Sequence, residues 1–409
     1  MSTHQRSYHS KNAADARTGS RAVVVIAALA AVVSGGCLEE SSQPHPSEDY
    51  TALGGFWLTE LGRDEEEGSL GYAEWDFWYP YSMALDHEGR LLVTNIRGGF
   101  LERFVLEEDG GAVWDAYWEW PRGFDWQTYP LFVARNNPAV SEILLAESLS
   151  EEGDGVFPRG RSAYAFNLPI PKPGGSDEPD HGYFEPPYSK PGWTEPLVQQ
   201  YPSFYQPGDL TALDTPDNRI VITDTANSLI SAYDGAGNKL AEDGGLGDQQ
   251  GTFRLPLGVT ANSTDEIIVA DTWNHRIQIL TLETAPDDPE DPGYDPDYNY
   301  PYVLSYQRTI GGFGYENGRF SAPYGVCVDG YDNIYVADTR NARVQKFDAA
   351  GGLLAVITGT GDWRLRAPLD VAVCDNGDLL VLDAFIWYEP WDYDFSPDDQ
   401  ARIIRFRRN

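Results

Sequence analysis

Alternating oxygen-bearing side chains near the end of the chain could bind a metal ion. They are Asp392, Asp394, Ser396 and Asp398, each separated from the next by one residue. Oxygen ligands at alternate positions begin a calcium-binding loop. The run has neither the glycine nor the later glutamate that completes such a loop, so a solvated acidic loop is the alternative interpretation. The same spacing, with the same omissions, recurs at 295–299.

Aromatic side chains among acids form a second candidate site. One group lies in a single short segment and comprises Trp75, Phe77, Trp78 and Tyr79. The other lies beside the acidic run and comprises Phe385, Trp387, Tyr388, Trp391 and Tyr393. Exposed rings beside carboxylates suit a sugar, a peptide or a cationic ligand. The alternative is that these rings pack inward and stabilise the fold.

Signatures of catalysis are largely absent from the sequence. It contains no Gly-x-Ser-x-Gly motif, no His-Glu-x-x-His motif and no phosphate-binding loop. The histidines that follow the N-terminal segment are spread along the chain, at His45, His87, His181 and His275. They form no cluster that would bind zinc or iron. We therefore expect no required cofactor, with calcium at 392–398 as the candidate ion.

The segments that must position these residues are built from a repeat. EIIVADTWNHRIQIL at 266–280 returns as NIYVADTRNARVQKF at 333–347. Each copy has an apolar run, Ala-Asp-Thr, a variable residue, Asn, another variable residue, Arg and then alternating apolar residues. The apolar stretches indicate strands, and Thr with Asn favours a turn between them. The repeat therefore predicts a β-hairpin.

Prolines mark six copies of this unit. They are Pro80, Pro130, Pro207, Pro256, Pro323 and Pro368. A polar residue closes an apolar strand 15 residues after four of them and 17 residues after the other two. The intervals between successive prolines are 50, 77, 49, 67 and 45 residues. A repeat near 45 residues, lengthened in places by loop insertions, is the period of a β-propeller blade.

The two best copies, 251–282 and 318–348, resemble the NHL repeat family. Weaker copies lie at 80–106, 209–234 and 368–407, and the copy at 130–168 departs most, with Glu147 in place of the aspartate. The resemblance implies an all-β fold, a six-bladed β-propeller of four-stranded antiparallel blades. It implies no particular activity, because one fold hosts many functions.

The repeated aspartates and arginines are interpreted as structural. The aspartates are Asp224, Asp271, Asp338 and Asp383, and they should accept hydrogen bonds from amides in their turns. Arg276 and Arg343 should tie blades together. Recurrence in several blades serves the scaffold rather than a single catalytic site.

An N-terminal strand is predicted to close the ring. The last copy ends after its third strand, at 401–409, and an exposed strand edge invites aggregation. GGFWLTELG at 54–62 precedes the first blade and has strand character. We therefore predict that 54–62 completes the last blade, with 56–61 paired with 402–407.

Closure would bring the two aromatic groups to one seam. The first group lies in a connection between blades and the second in an insertion between second and third strands, so both belong to one face. Trp78 and Trp387 should therefore lie on that face with exposed rings. Trp273 and Arg340 occupy the second-to-third turns of two other blades, and we include them in the predicted ligand-binding surface.

The N-terminal residues 1–36 have the pattern of an export signal. Basic residues precede a 12-residue apolar run, 22–33, which is too short for a stable membrane anchor. Small residues then precede Cys37, which resembles a bacterial lipoprotein signal and implies a lipid on the Cys37 sulfur. Ordinary secretion is the alternative. Residues 37–50 predict a flexible tether, and 51–409 form the predicted propeller domain.

The net charge of the chain limits which classes of partner it can bind. The 409 residues carry a net charge of −35, which repels phosphate backbones and argues against a nucleic-acid partner.

Cys327 and Cys374 lie on first strands of neighbouring blades, two residues out of register. We therefore expect small buried hydrophobic residues rather than a disulfide.

These observations predict an extracytoplasmic binding module that is lipid-anchored in the cell envelope. Leu38 after the lipidated cysteine favours the outer membrane, with no other membrane contact. One propeller face would present a site to a peptide, glycan or protein partner. A metal-dependent hydrolase or lyase of the six-bladed type is the first alternative, and a structural component of an envelope assembly is the second.

Overall fold

The computed structural model describes residues 49–57, 80–95, 100–119, 128–135, 143–149, 161–166, 180–183, 197–204, 207–286, 300–384 and 401–409. In chain order the strands are β1 (Tyr50–Trp57), β2 (Pro80–Leu85), β3 (Leu91–Asn95), β4 (Phe100–Leu106), β5 (Ala112–Glu119), β6 (Thr128–Arg135), β7 (Ile143–Leu149), β8 (Arg161–Phe166), β9 (Asp180–Tyr183), β10 (Leu197–Phe204), β11 (Pro207–Ala212), β12 (Ile220–Asp224), β13 (Leu229–Tyr233), β14 (Lys239–Gly244), β15 (Pro256–Ala261), β16 (Ile267–Asp271), β17 (Arg276–Thr284), β18 (Tyr302–Gly311), β19 (Pro323–Val328), β20 (Ile334–Asp338), β21 (Arg343–Phe347), β22 (Leu353–Ile357), β23 (Pro368–Val373), β24 (Leu379–Asp383) and β25 (Arg402–Arg408). Short 3-10 turns cover Thr272–Asn274, Thr339–Asn341 and Gly361–Trp363. Among these residues, no helix has the length and apolar character needed to cross a bilayer.

The strands form an all-β propeller of four-stranded antiparallel blades, as predicted. Within the described residues the sheets have the orders β2-β3-β4-β5-β9, β6-β7-β8-β10, β11-β12-β13-β14, β15-β16-β17-β18, β19-β20-β21-β22 and β23-β24-β25-β1. Each sheet is named below by its first strand. The first strands lie side by side around a central channel, and β23 lies beside β2.

Burial explains why these short apolar runs become strands. The second strands β12, β16, β20 and β24 are buried along their whole length. Each is packed between its neighbouring blades, so both of its faces must be apolar. One shared core, for example, joins Ile268 and Ile277 of the β15 blade to Val326 and Val336 of the β19 blade. The sequence predicts the four strands of the β19 blade at 324–328, 333–337, 343–348 and 353–358, and each observed boundary lies within one residue of these.

The strand β1 pairs antiparallel with β25, with Phe56 opposite Ile403 and Trp57 opposite Arg402. It begins at Tyr50, four residues earlier than the predicted 54–62 segment, and residues 58–62 lie outside the described residues. Of the tether predicted at 37–50, residues 37–48 lie outside the described residues. Tyr50 is held in the strand because its hydroxyl hydrogen-bonds to the Tyr335 hydroxyl at 3.1 Å.

The segment 169–193 is rich in Pro and Gly and is predicted from the sequence to be a loop insertion between third and fourth strands, but it contains a strand. β9 pairs in parallel with β5, the outer strand of the β2 blade, whereas it lies between β8 and β10 of the next blade in sequence. The insertions predicted at 283–300 and 384–400 fall between β17 and β18 and between β24 and β25, the predicted strand pairs. Cys327 and Cys374 are free thiols, as predicted.

Candidate functional site

The turn between β16 and β17 is held by the buried carboxylate of Asp271. It accepts hydrogen bonds from the Arg254 amide at 2.8 Å, from Asn274 Nδ2 at 2.9 Å and from Arg276 Nε at 2.7 Å. The residue that follows this network, His275, has a left-handed φ of 57°. The turn therefore holds Trp273 and His275 in fixed positions on the propeller face.

The β20–β21 turn repeats this network around Asp338. Its carboxylate accepts from the Ser321 amide at 2.7 Å, from Asn341 Nδ2 at 2.8 Å and from Arg343 Nε at 2.7 Å. Burial raises the pKa of Asp338 to about 6, although the Arg343 charge and the hydrogen bonds oppose that rise. The predicted structural role of the repeated aspartates and arginines is confirmed in these two blades.

Five side chains form what we call the aromatic–arginine patch. They are Trp273, His275, Phe313, Tyr315 and Arg340. The Arg340 guanidinium lies 6.0 Å from the centre of the Trp273 ring, and the His275 ring lies 4.9 Å from the Phe313 ring. The Phe313 and Tyr315 rings meet edge to face at 5.8 Å. The patch spans the β16–β17 turn, the β20–β21 turn and the connection between their blades.

Two rings of this patch are largely open to solvent. Phe313 is 60% exposed and Tyr315 is 64% exposed, whereas Trp273, His275 and Arg340 are half-buried. The connection that carries Phe313 is held by two backbone hydrogen bonds. The Phe320 amide donates to the Gly312 carbonyl, and the Gly314 amide donates to the Phe320 carbonyl. Adjacent exposed rings on a rigid loop have no role in the core, and such surfaces commonly bind partners.

His275 is oriented by the neighbouring blade. Its Nδ1 accepts a hydrogen bond of 2.9 Å from the Ala322 amide, so the neutral ring carries its hydrogen on Nε2. Burial, followed by the charges of Arg340 and Arg254, lowers the pKa of His275. The neutral form is therefore the one that the patch presents at neutral pH.

A second concave site is the central channel, a cavity of about 870 Å³ lined by the first strands. Asp209 and Asp370 lie two residues after the first-strand prolines of the β11 and β23 blades. Asp209 accepts from the Val259 amide at 3.0 Å, and Asp370 accepts from the Met83 amide at 2.8 Å. Each carboxylate thus binds the first strand of the next blade.

The two channel carboxylates favour their protonated forms. Burial raises the pKa of Asp370 to about 6. Burial, followed by the charge of Asp370, raises the pKa of Asp209 well above its usual range. Glycine occupies the corresponding positions in the β15 and β19 blades, and a Cβ on Gly325 would lie 2.4 Å from Asp370 Oδ1. The close approach of neighbouring first strands explains that glycine.

Most of the predicted site residues lie outside the described residues. These are Cys37, Trp75, Phe77, Trp78, Tyr79, Phe385, Trp387, Tyr388, Trp391, Asp392, Tyr393, Asp394, Ser396 and Asp398. The seam site, the calcium run and the lipid site therefore stay predictions. The structure brings Trp273 and Arg340 of the predicted set together. Within the described part of the chain, no three His, Cys, Asp or Glu side chains are grouped as a metal site.

Sequence reasoning missed Phe313, Tyr315 and the site role of His275. A signal was present, because GGFGYENG at 311–318 places two aromatic residues among glycines, where no strand can bury them. It also missed Asp209 and Asp370. Their signal was an acid at a position where the best repeats have glycine.

The two best copies of the repeat match a known protein family. Residues 253–280 and 320–347 match the NHL repeat. "Protein brain tumor" of Drosophila melanogaster is 40% identical over 83 residues, which are 20% of this chain and 8% of that protein. "Peptidyl-alpha-hydroxyglycine alpha-amidating lyase 1" of Drosophila melanogaster is 29% identical over 115 residues, which are 26% of this chain and 19% of that protein. The chain thus spans less than a fifth of the length of either relative.

A solved structure has a similar overall arrangement. It is a structural genomics protein of unknown function from Bacteroides thetaiotaomicron VPI-5482, with a TM-score of 0.50 and 12% sequence identity. The alignment covers 88% of this chain and 76% of that chain. Similarity at this level of identity supports the fold alone.

Proposed function

We propose that the protein is a binding module and that the propeller face carrying the second-to-third turns contacts a peptide, glycan or protein partner. The supporting observation is the exposed pair Phe313 and Tyr315 beside Trp273 and Arg340. Aromatic and arginine side chains dominate the energetics of protein interfaces. The rigid turns beneath them reduce the entropy that would be lost on binding.

The proposal includes a ring of six blades closed by the N-terminal strand. Its support is the pairing of β1 with β25 and the contact of β23 with β2. It also includes export and lipid attachment at Cys37, which would anchor the propeller in the cell envelope, at the outer membrane. That part rests on the sequence pattern at 1–37.

A second candidate function is a hydrolase or lyase reaction in the central cavity. Its volume of about 870 Å³ lies in the range of small-molecule sites. A carboxyl with a pKa of about 6, such as Asp370, suits general acid or base catalysis near neutral pH. Turnover of a small-molecule substrate that is lost in Asp370→Asn but unchanged in Phe313→Ala would favour this candidate.

Peptide and glycan arrays test the leading proposal. The full chain and a Phe313→Ala/Tyr315→Ala double variant would be compared, because neither side chain is needed in the core. The matched control is Tyr331→Ala, which removes an 83% exposed ring from the β19–β20 turn on the opposite face. We expect specific array signals that the double variant loses and the control keeps. Signals unaffected by the double variant would refute this face.

A further inference from the structure

Two exposed arginines, Arg254 and Arg319, lie in the chain segments next to the aromatic–arginine patch. The sequence has 64 acidic and 29 basic residues, so an exposed arginine readily finds a carboxylate. Most described arginines do so, for example Arg219 with Asp217 and Arg308 with Glu266. Within the described residues, the side chains of the exposed Arg254 and Arg319 form no ion pair, and neither do those of the exposed Arg135 and Arg364 elsewhere on the propeller.

Hydrogen-bond donors and positive charges converge around His275. Its Nδ1 is occupied by the Ala322 amide, so Nε2–H is the remaining polar group of the ring. The charges of Arg340 and Arg254 add to the effect of burial in lowering the pKa of His275, and the Arg340 guanidinium lies 6.0 Å from the ring of Trp273, two residues before His275. The Arg254 carbonyl also accepts from the Trp273 amide at 3.0 Å, which links that connection to the turn.

Apolar surface lies directly beside these donors. The Phe313 ring contacts His275 at 4.9 Å and meets Tyr315 edge to face. The two rings meet at 69°, so they present an angled apolar surface that suits an apolar side chain, whereas a sugar stacks best on one flat ring. Leu246, which is 75% exposed, occupies the equivalent loop position one blade earlier.

We propose that this patch binds an acidic peptide segment of a partner protein. A carboxylate of the peptide would accept hydrogen bonds from Arg254, Arg340 and His275 Nε2–H, and an adjacent apolar side chain would pack on the exposed Phe313 and Tyr315 rings. This inference rests on the proposed function and names its partner. Guanidinium groups that bind a carboxylate form the stronger class of hydrogen bond.

The charge of the whole molecule favours a short acidic segment over a nucleic acid. A nucleic acid would extend beyond the patch, and its phosphates would meet the net charge of −35. A short peptide with one or two carboxylates meets few of the chain's acidic residues, of which the exposed Glu316 lies next to Tyr315. Added salt screens the distant repulsion as well as the local attraction, so we expect binding to depend only weakly on ionic strength.

Fluorescence anisotropy with two labelled peptides tests the inference. The acidic probe is Gly-Asp-Phe-Glu-Phe-Asp-Gly and its matched neutral probe is Gly-Asn-Phe-Gln-Phe-Asn-Gly. We expect the full chain to bind the acidic probe about tenfold more tightly than the neutral one. Arg254→Gln should abolish that preference, and Phe313→Ala should weaken both complexes. Arg254 is exposed, so its substitution should leave folding intact.

Controls separate this inference from the proposed function. Arg90→Gln and Tyr331→Ala alter the opposite face and should change neither affinity. Equal binding of both probes, lost in Phe313→Ala, would overturn the carboxylate preference and leave the proposed face intact. Loss in Tyr331→Ala equal to that in Phe313→Ala would defeat both proposals. No binding of the acidic probe at about 1 mM, or its displacement by single-stranded RNA with higher affinity, would also overturn the inference.

Discussion

At the scale of single residues, the repeat specifies a buried ion-pair network rather than a reaction. Asp338 and Arg343 are both buried, and the arginine also donates to the Glu316 and Arg319 carbonyls at 2.8 Å. This residue pair thus fixes the β20–β21 turn, the start of β21 and the connection that precedes β19. The same hydrogen bonds hold the neighbouring patch residues in position.

Asp338→Ala should strongly destabilise the protein. It leaves the Arg343 charge buried without its partner, which typically costs about 3–5 kcal/mol. Chemical denaturation would measure the loss in the free energy of unfolding. The control is Asp348→Ala in an exposed turn, where we expect a loss of about 1 kcal/mol or less. Equal losses in the two variants would contradict the structural role of the Asp338 network.

The channel carboxylates should make stability depend on pH. The folded-state pKa of Asp370 is about 6, above its ordinary value of 3.8, so the folded state holds this proton more tightly. The stabilisation is present below about pH 4 and is lost as the pH rises through about 6. Asp209→Asn removes the second buried carboxyl whose pKa is raised, so we expect a smaller decline in unfolding free energy between pH 4 and 7. An unchanged or steeper decline would contradict the raised pKa of Asp209.

Sequence reasoning succeeded for the residues that repeat and failed for those that do not. Asp271 and Asp338 recur with their partners, so their common role could be inferred from one chain. Phe313 and Tyr315 lie in a connection, where exposure depends on the loop path rather than on periodicity. The pKa of Asp370 depends on burial by neighbouring blades, which no local pattern encodes.

At the scale of elements, β1 is held by contacts on both of its sides. Tyr50 reaches Tyr335, and Lys346, which is fully buried, lies 5.9 Å from the Tyr50 ring. On the other side, Gly54 lies close to Gly110 of the β4–β5 turn. These contacts connect three blades, and they support the closure proposed above.

Gly55→Ala should weaken the proposed closure. A Cβ at this position would lie 2.5 Å from the Ile403 carbonyl oxygen and 2.8 Å from the Trp363 ring. We expect a loss of about 1–3 kcal/mol and faster hydrogen exchange along β25. Thr51→Ala on the same strand, where the side chain is exposed, is the control. If both variants retained the stability of the natural protein, β1 would not be needed to close the ring.

The element boundaries show what a linear pattern can supply. Apolar runs placed the strands of the β19 blade to within one residue. The start of β1 and the existence of β9 were missed because neither segment has a repeat to match. Pairing with another blade, β5 in the case of β9, makes those segments strands.

At the scale of the whole molecule, the charge and the proposed anchor fit an exported protein. Cys37→Ser should release the protein from the membrane fraction, because the lipid is the proposed attachment. Mass spectrometry of the native N-terminus should find a diacylglycerol-modified peptide that begins at Cys37. An unmodified N-terminus elsewhere would contradict lipid anchoring and leave the propeller proposals untouched.

Hydrogen exchange with and without the strongest array ligand would locate the binding face. We expect slower exchange at the amides of 272–276 and 312–322 when the ligand is bound, because these segments carry the aromatic–arginine patch. We expect no change at 86–89 and 374–377, which lie at the channel mouth on the opposite face. Protection at the channel mouth, with the patch unchanged, would contradict the proposed binding face and favour a ligand site in the cavity.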